Sequence, residues 1–183
     1  MTPASETASR RSSLTSRCSS LIPVLSVFLL ALSACSSPTP QQQLATAEAA
    51  AQEAAHDGGK VVQAVALLEA VVAGHAETPE APRALKALAM LRQQHGEMEG
   101  AISTYDRLLA SYPASDEAVE AQFMTAFIYE EHLADFAAAR QAYQKVIDNY
   151  PGTELAANAQ ILLPNVGRAP EEYVNFQDDP PTH

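Results

Sequence analysis

AISTYDRLLASYP, residues 101–113, and ARQAYQKVIDNYP, residues 139–151, are two copies of one pattern. Each copy places an alanine, a tyrosine, an aliphatic residue, a second tyrosine and a proline at the same five positions, 38 residues apart. The pairs are Ala101 and Ala139, Tyr105 and Tyr143, Leu108 and Val146, Tyr112 and Tyr150, and Pro113 and Pro151. A weaker third copy lies 37 residues before the first, with Ala64, Leu68 and Val71 at the first three positions. Repeats of this length stack side by side, so the chain is predicted to form a solenoid.

The spacing within each copy indicates an amphipathic helix. Its alanine, first tyrosine and aliphatic residue lie at i, i+4 and i+7, which is one face of a helix, and its proline ends the helix. The small alanine allows a preceding helix to approach closely. Before the first copy, Leu85, Leu88 and Ala89 fit the core face of such a helix, and Gly96 fits the turn. This pattern resembles the tetratricopeptide repeat, and the resemblance implies one helical hairpin per copy.

We therefore predict an all-α tetratricopeptide-repeat solenoid of about three helical hairpins plus a C-terminal capping helix. The six hairpin helices are expected at about residues 41–56, 60–74, 79–95, 97–111, 115–133 and 135–149, and the capping helix at 153–163. The turn in the third hairpin, residues 132–135, is expected to be one residue longer than its counterpart. The repeat domain then covers residues 44–163, with a flexible tether before it at 35–43 and a disordered acidic tail after it at 164–183.

The N-terminal residues read as an export signal. The apolar run at residues 21–32 is about a dozen residues long, too short to span a bilayer, for which about 20 are needed. It follows Arg10, Arg11 and Arg17 and precedes small residues, the layout of a signal peptide over residues 1–34. The two adjacent arginines also partly resemble a twin-arginine motif, so the general and the twin-arginine export routes both stay open.

The end of this signal resembles the bacterial lipobox. Its residues are Leu32, Ser33, Ala34 and Cys35. The resemblance implies that Cys35 is the lipidation site, acylated with fatty acids such as palmitate, and becomes the first residue of the mature lipoprotein. The alternative is that Cys35 is a small buried hydrophobic residue. The other cysteine, Cys18, lies within the signal, so the mature chain is expected to contain no disulfide.

The charge of the chain disfavours two classes of partner. Eleven basic and 22 acidic residues give a formal net charge of −11, and removing residues 1–34 takes away three arginines and one glutamate and leaves −13. Nucleic-acid binding relies on Lys and Arg, and so does adsorption to anionic lipid. We therefore expect no nucleic-acid partner, and we expect membrane attachment to come from the N-terminal lipid.

No pattern in the sequence indicates an enzyme. The five histidines are scattered without metal-binding spacing, at His56, His75, His95, His132 and His183. Glu130 and Glu131 are adjacent, so on a helix their side chains point in different directions and do not form an acid–base pair. There is no glycine-rich phosphate loop and no nucleophile motif. We expect no catalytic residue, no metal site and no cofactor.

Binding is the better hypothesis, because stacked hairpins leave their first helices lining a groove. Six residues are predicted to face it and to contact a partner: Arg83, Lys86, Met90, Phe123, Phe127 and Glu130. The two cations and the two phenylalanines suit a segment carrying acidic residues beside apolar anchors. The alternative is that the phenylalanines belong to the core, with Met124 and Ile128 as the next groove candidates.

Together, the lipobox and the repeats resemble the periplasmic tetratricopeptide-repeat proteins that include the barrel-assembly lipoprotein and the Tol-Pal coordinator. The resemblance implies a non-catalytic scaffold, anchored by lipid and facing the periplasm, that binds a protein or peptide of the cell envelope. The resemblance further implies that a lipoprotein without aspartate after its lipidated cysteine, as with Ser36 here, is passed to the inner leaflet of the outer membrane. Two narrower roles stay open: an accessory subunit of outer-membrane protein assembly, and a partner of an envelope hydrolase. The sequence does not decide the oligomeric state.

Overall fold

The computed structural model describes residues 37–168, a range that begins after Cys35. The predicted signal peptide, the lipidation site and residues 169–183 lie outside it. The α-helices of the described chain are α1 (Pro40–Ala54), α2 (Val61–Gly74), α3 (Glu80–Gln94), α4 (Met98–Ser111), α5 (Asp116–Phe127), α6 (Phe136–Asn149) and α7 (Glu154–Leu162). A π-helical turn, Ile128–His132, extends α5, and 3-10 turns lie at Gly58–Lys60 and Leu163–Asn165. Each of the seven predicted helices is present, and the all-α repeat fold is confirmed.

The helices pair as hairpins around a core that runs along the stack. The pairs are α1 with α2, α3 with α4, and α5 with α6, and the first helices α1, α3, α5 and α7 contact one another in that order. Ala101 and Ala139 are fully buried, as expected where two helices approach closely. Tyr105 and Tyr143 are buried too and fill the core beside them. The motif positions that predict the repeat are therefore its packing positions.

The second tyrosine of each copy joins one repeat to the repeat before it. The hydroxyl of Tyr112 donates to the carbonyl oxygen of Ala76 at 2.9 Å, and that of Tyr150 donates to the carbonyl oxygen of Pro113 at 3.4 Å. His75 lies 37 residues before Tyr112, and its Nε2 lies 3.0 Å from Oε1 of Gln43. The tyrosine-proline helix endings thus have a structural function in the stack.

Helix α1 begins at Pro40, within one residue of the predicted start at 41 and inside the stretch expected to be a tether. Thr39 caps it by accepting a hydrogen bond from the amide of Gln42 at 3.3 Å, while Oε1 of Gln42 accepts one from the amide of Thr39 at 3.0 Å. Pro40 occupies the first helical position, where its missing amide hydrogen is not needed. Residues 40–43, expected to belong to a flexible tether, are therefore helical. The composition suggested a linker, but Thr-Pro-Gln-Gln is a capping box.

The extra residue of the third hairpin lies in the end of its first helix and not in the turn. In the second hairpin the amide of His95 donates to the carbonyl of Leu91, four residues back. In the third hairpin the amide of Leu133 donates to the carbonyl of Ile128, five residues back. Equivalent buried residues of α3 and α5 are therefore 37 residues apart in the sequence, whereas equivalent residues after the π turn are 38 apart. The prediction that the third hairpin has one extra residue is confirmed. The predicted position of that residue, in the turn between the helices, is wrong.

The two turns themselves have the same backbone shape. Gly96 has a φ of +78°, and Ala134, 38 residues later, has a φ of +51°. This left-handed region is open to glycine and strained for residues with a Cβ atom. Ala134 therefore adopts a conformation that the second hairpin assigns to glycine.

The C-terminal end of the described chain is folded onto the last repeat. Val166 is fully buried in the core beside α6, and the guanidinium of Arg140 donates to its carbonyl oxygen at 2.6 Å. Arg140 is the repeat equivalent of Ile102 in the second hairpin. Ile102 is covered by the repeat that follows it. Gly167 has a φ of +76°, and a Cβ atom there would lie 2.8 Å from Cγ of Phe136. Residues 164–168, expected to begin a disordered tail, instead close the end of the stack.

Candidate interaction surface

The first helices of the hairpins form a cleft. It has a volume of about 590 Å³ and lies between α1 and α3, with the start of α5 at one end. Its floor is apolar and its rim is polar. The lining residues are Glu48, Ala51, Gln52, Ala55, His56, Arg83, Lys86, Ala87, Met90, Leu91, Gln94 and Glu117. We call the surface formed by α1, α3, α5 and α7 the first-helix face, and this cleft is its N-terminal half.

Three of the six predicted partner-binding residues line the cleft, namely Arg83, Lys86 and Met90. Met90 is 41% exposed, which is high for a large apolar residue at the wall of a cleft. Both cations, however, are paired with carboxylates of neighbouring helices. Arg83 lies 3.4 Å from Glu48 of α1, and Lys86 lies 2.9 Å from Glu120 of α5.

These pairs correct the expected electrostatics of the groove. The sequence suggested two available cations that would attract an acidic partner. Because each cation has a carboxylate from an adjacent repeat, little positive charge remains for a ligand. The pairs are partly exposed and contribute little to stability, but they neutralise the two cations.

The three remaining predicted residues, Phe123, Phe127 and Glu130, lie further along the first-helix face. The ring of Phe123 packs edge-on against Tyr143, with centroids 5.5 Å apart, and joins the core of the last repeat on one side. Phe127 packs edge-on against His132 at 6.0 Å. Both phenylalanines are half-buried. Phe123 therefore serves the core with one side of its ring and leaves part of the ring accessible.

The alternative groove candidates are placed differently. Ile128 is fully buried in the core of the second repeat, so it faces away from any ligand. Met124 is half-buried and packs against the same cluster. Among the described residues of α5, Phe123 and Phe127 are thus better placed than Ile128 for a contact.

Glu130 interacts with the core of its own repeat. Its Oε2 accepts a hydrogen bond from the hydroxyl of Tyr143 at 3.0 Å. Burial, helped by this hydrogen bond, raises the pKa of Tyr143 well above its usual range. Burial likewise raises the pKa of Tyr105, with a further contribution from the charge of Glu120. Both phenols therefore remain protonated, and Glu130, as the acceptor of the Tyr143 hydrogen bond, supports the stack more directly than it offers a free contact.

One exposed residue of this face was missed in the sequence. Ile161 of α7 is 68% exposed, and it lies 38 residues after Phe123, which lies 37 after Lys86. The three residues therefore share one position in successive repeats, and Lys86 lines the cleft. The spacing that aligned Gln122 with Gln160 would have identified Ile161. It was overlooked because α7 was interpreted only as a cap.

The described residues contain no group of three His, Cys, Asp or Glu side chains arranged to hold a metal ion. Between residues 37 and 168 no helix is both long enough and apolar enough to cross a membrane. The chemistry offered by the first-helix face is that of a binding surface with an apolar floor and paired charges.

A match to a protein family model supports the same fold. The tetratricopeptide repeat family model matches residues 84–115 and 120–153, which are the second and third hairpins. No curated protein matches the chain. The crystal structure of a tetratricopeptide repeat protein from Parabacteroides merdae is similar at 22% identity and a TM-score of 0.48, over 67% of this chain. The similar part spans 45% of that protein. The chain therefore contains two tetratricopeptide repeats, at residues 84–115 and 120–153, within an all-α solenoid fold.

Proposed function

We propose that this protein is a non-catalytic scaffold of the bacterial cell envelope, anchored by lipid at Cys35, that binds a segment of another protein on its first-helix face. Tetratricopeptide repeats are protein-interaction scaffolds, and the cleft between α1 and α3 carries the proposal for this chain. It is large enough for several side chains of a ligand, and Met90 at its wall is exposed without an apolar neighbour covering it.

Site-specific photo-crosslinking in cells tests the binding surface. A photoreactive amino acid replaces Met90 in the full chain, and in a control strain it replaces Val62, which is 81% exposed on α2. We expect defined adducts with one or a few proteins from position 90 and none of these from position 62. Identical adducts from both positions would show that contact there is nonspecific.

The identity of the crosslinked protein separates the two narrower roles. A barrel-forming insertase as the adduct supports an accessory role in outer-membrane protein assembly. A peptidoglycan hydrolase supports the role of an envelope-hydrolase partner.

The lipid anchor rests on the resemblance of residues 32–35 to the lipobox and is tested separately. Cells are labelled with a clickable fatty acid, and the full chain is compared with Cys35→Ser and with Cys18→Ser as the matched control. We expect label in the full chain and in the control, and none in Cys35→Ser, because the acylated atom is the thiol sulfur. Undiminished label in Cys35→Ser would exclude this lipidation site.

A further inference from the structure

The first-helix face changes character along the stack. At the position shared by Lys86, Phe123 and Ile161, the side chain is charged on α3, aromatic on α5 and aliphatic on α7. At a second shared position, Met90 on α3 is followed by Phe127 on α5, 37 residues later. The charged side chain of α3 is thus replaced by an apolar one on α5 and α7, while the second position is apolar on both α3 and α5. We call the part of the face at Phe123, Phe127 and Ile161 its apolar half.

The charge that remains available on this face is negative. In and beside the cleft, Glu48 and Glu120 are paired with Arg83 and Lys86. Glu117 lines the cleft as well, and it has no ion-pair partner among the described residues. With histidine counted as neutral, three carboxylates thus face two cations. A carboxylate on the ligand would have to compete with Glu48 and Glu120 for the two cations. A cation on the ligand could pair directly with the available carboxylate of Glu117.

We propose that the partner segment of the first-helix face is amphipathic and basic, with apolar anchors that contact Phe123, Phe127 and Ile161 and a Lys or Arg that reaches Glu117. This inference rests on the proposed binding function and specifies the chemistry of its ligand. Apolar anchors supply most of the affinity in such contacts, and the rim charge mainly determines selectivity and encounter rate.

Two other occupants of the apolar half fit less well. Residues 169–183 follow the described chain directly, but they carry Glu171, Glu172, Asp178 and Asp179 and no Lys or Arg. A second copy of this chain has the same surplus of acidic residues. Both would bring like charge to Glu117, so an external basic segment is the better match.

Fluorescence polarisation with three labelled peptides tests the proposal. The peptides share one amphipathic pattern of leucines and differ only in the flanking residues, which are lysine, glutamine or glutamate. The full chain, purified and held in zwitterionic nanodiscs, is titrated at low salt. We expect the lysine peptide to bind at least about tenfold more tightly than the glutamate peptide, with the glutamine peptide between them.

The results distinguish failure of this inference from failure of the proposed function. Equal affinities, or a preference for the glutamate peptide, would overturn the basic chemistry and leave the binding face standing. Absence of binding by all three peptides would count against both. Loss of the lysine preference at high salt is part of the expected result, because the contact with Glu117 lies at a solvent-exposed rim.

Matched variants assign the contacts. Ile161→Ala should weaken the lysine peptide about tenfold, while Val62→Ala on α2 should change nothing, and both side chains are so exposed that folding is unaffected. Glu117→Gln should reduce the lysine preference about threefold or more. Equal effects of the two alanine variants would refute the placement. A higher peptide affinity after deletion of residues 169–183 would also refute the proposal, because the tail would then be the occupant. A peptide affinity that falls as the chain self-associates would refute it too, because a second copy would then occupy the face.

Discussion

Removing the C-terminal closure should destabilise the protein, although the removed residues follow the last helix. We compare a chain ending at Leu163 with one ending at Arg168. The first lacks Val166, which is fully buried, and the bond from Arg140 to its carbonyl. Burial of a valine is worth about 1.5–3 kcal/mol, and a partly exposed hydrogen bond adds up to about 1 kcal/mol. The expected loss is about 2–4 kcal/mol, or a fall in melting temperature of roughly 5–15 °C.

Thermal melts by far-UV circular dichroism measure the difference. The chain ending at Arg168 should melt within about 2 °C of the full chain, which isolates the contribution of residues 164–168. Val166→Ala in the full chain should lower stability by about 1–3 kcal/mol without shortening the chain. If the chain ending at Leu163 melts like the full chain, Val166 does not contribute to the core in the way its burial implies.

Three further perturbations test other parts of the stack. Positions 96 and 134 both have a positive φ, which glycine adopts more easily than alanine. Ala134→Gly should therefore leave stability unchanged or raise it by up to about 1 kcal/mol, whereas Gly96→Ala should lower it by about 1 kcal/mol. Equal losses of stability for the two variants in chemical denaturation would contradict this. Ala139→Leu should lower the melting temperature, since overpacking a fully buried site costs about 1–3 kcal/mol, and an unchanged melt would refute the repeat register. Arg107 donates hydrogen bonds to both carboxylate oxygens of Glu69, at 2.7 and 3.0 Å, and the hydrogen bonding depresses the pKa of Glu69. Arg107→Gln should therefore lower stability slightly at neutral pH, and the difference should shrink as the pH falls and Glu69 is protonated; a difference independent of pH would contradict the pairing.

The helices could be predicted from the sequence because the repeat is encoded in packing residues. Small residues such as Ala101, large ones such as Tyr105 and a terminating proline recur at fixed spacing, and each position has one physical role. The π turn could not be located in this way. A repeat comparison counts the residues between two motifs, but it does not show whether the extra residue widens a helix or lengthens a turn.

The site was less predictable than the fold. Arg83, Lys86 and Met90 line one cleft, since helical periodicity determines which side of α3 they share, and their contact with a partner stays a prediction. Their electrostatic state was not predictable from α3 alone, because Glu48 and Glu120 come from two other helices, 35 and 34 residues away. Repeat proteins place neighbouring helices about one repeat apart, so a search for opposite charges near that spacing would have found both pairs.

If Cys35 carries the proposed lipid, the capping box at Thr39 limits how far the scaffold can search for its partner. Helix α1 starts at Pro40, so only residues 36–39 separate Cys35 from a rigid helix. Four extended residues span at most about 14 Å. With a lipid on Cys35, the first repeat would stay within a thin layer at the membrane surface. Its partner would have to be a neighbour in that layer, and the two would meet at high effective concentration even if their intrinsic affinity were modest.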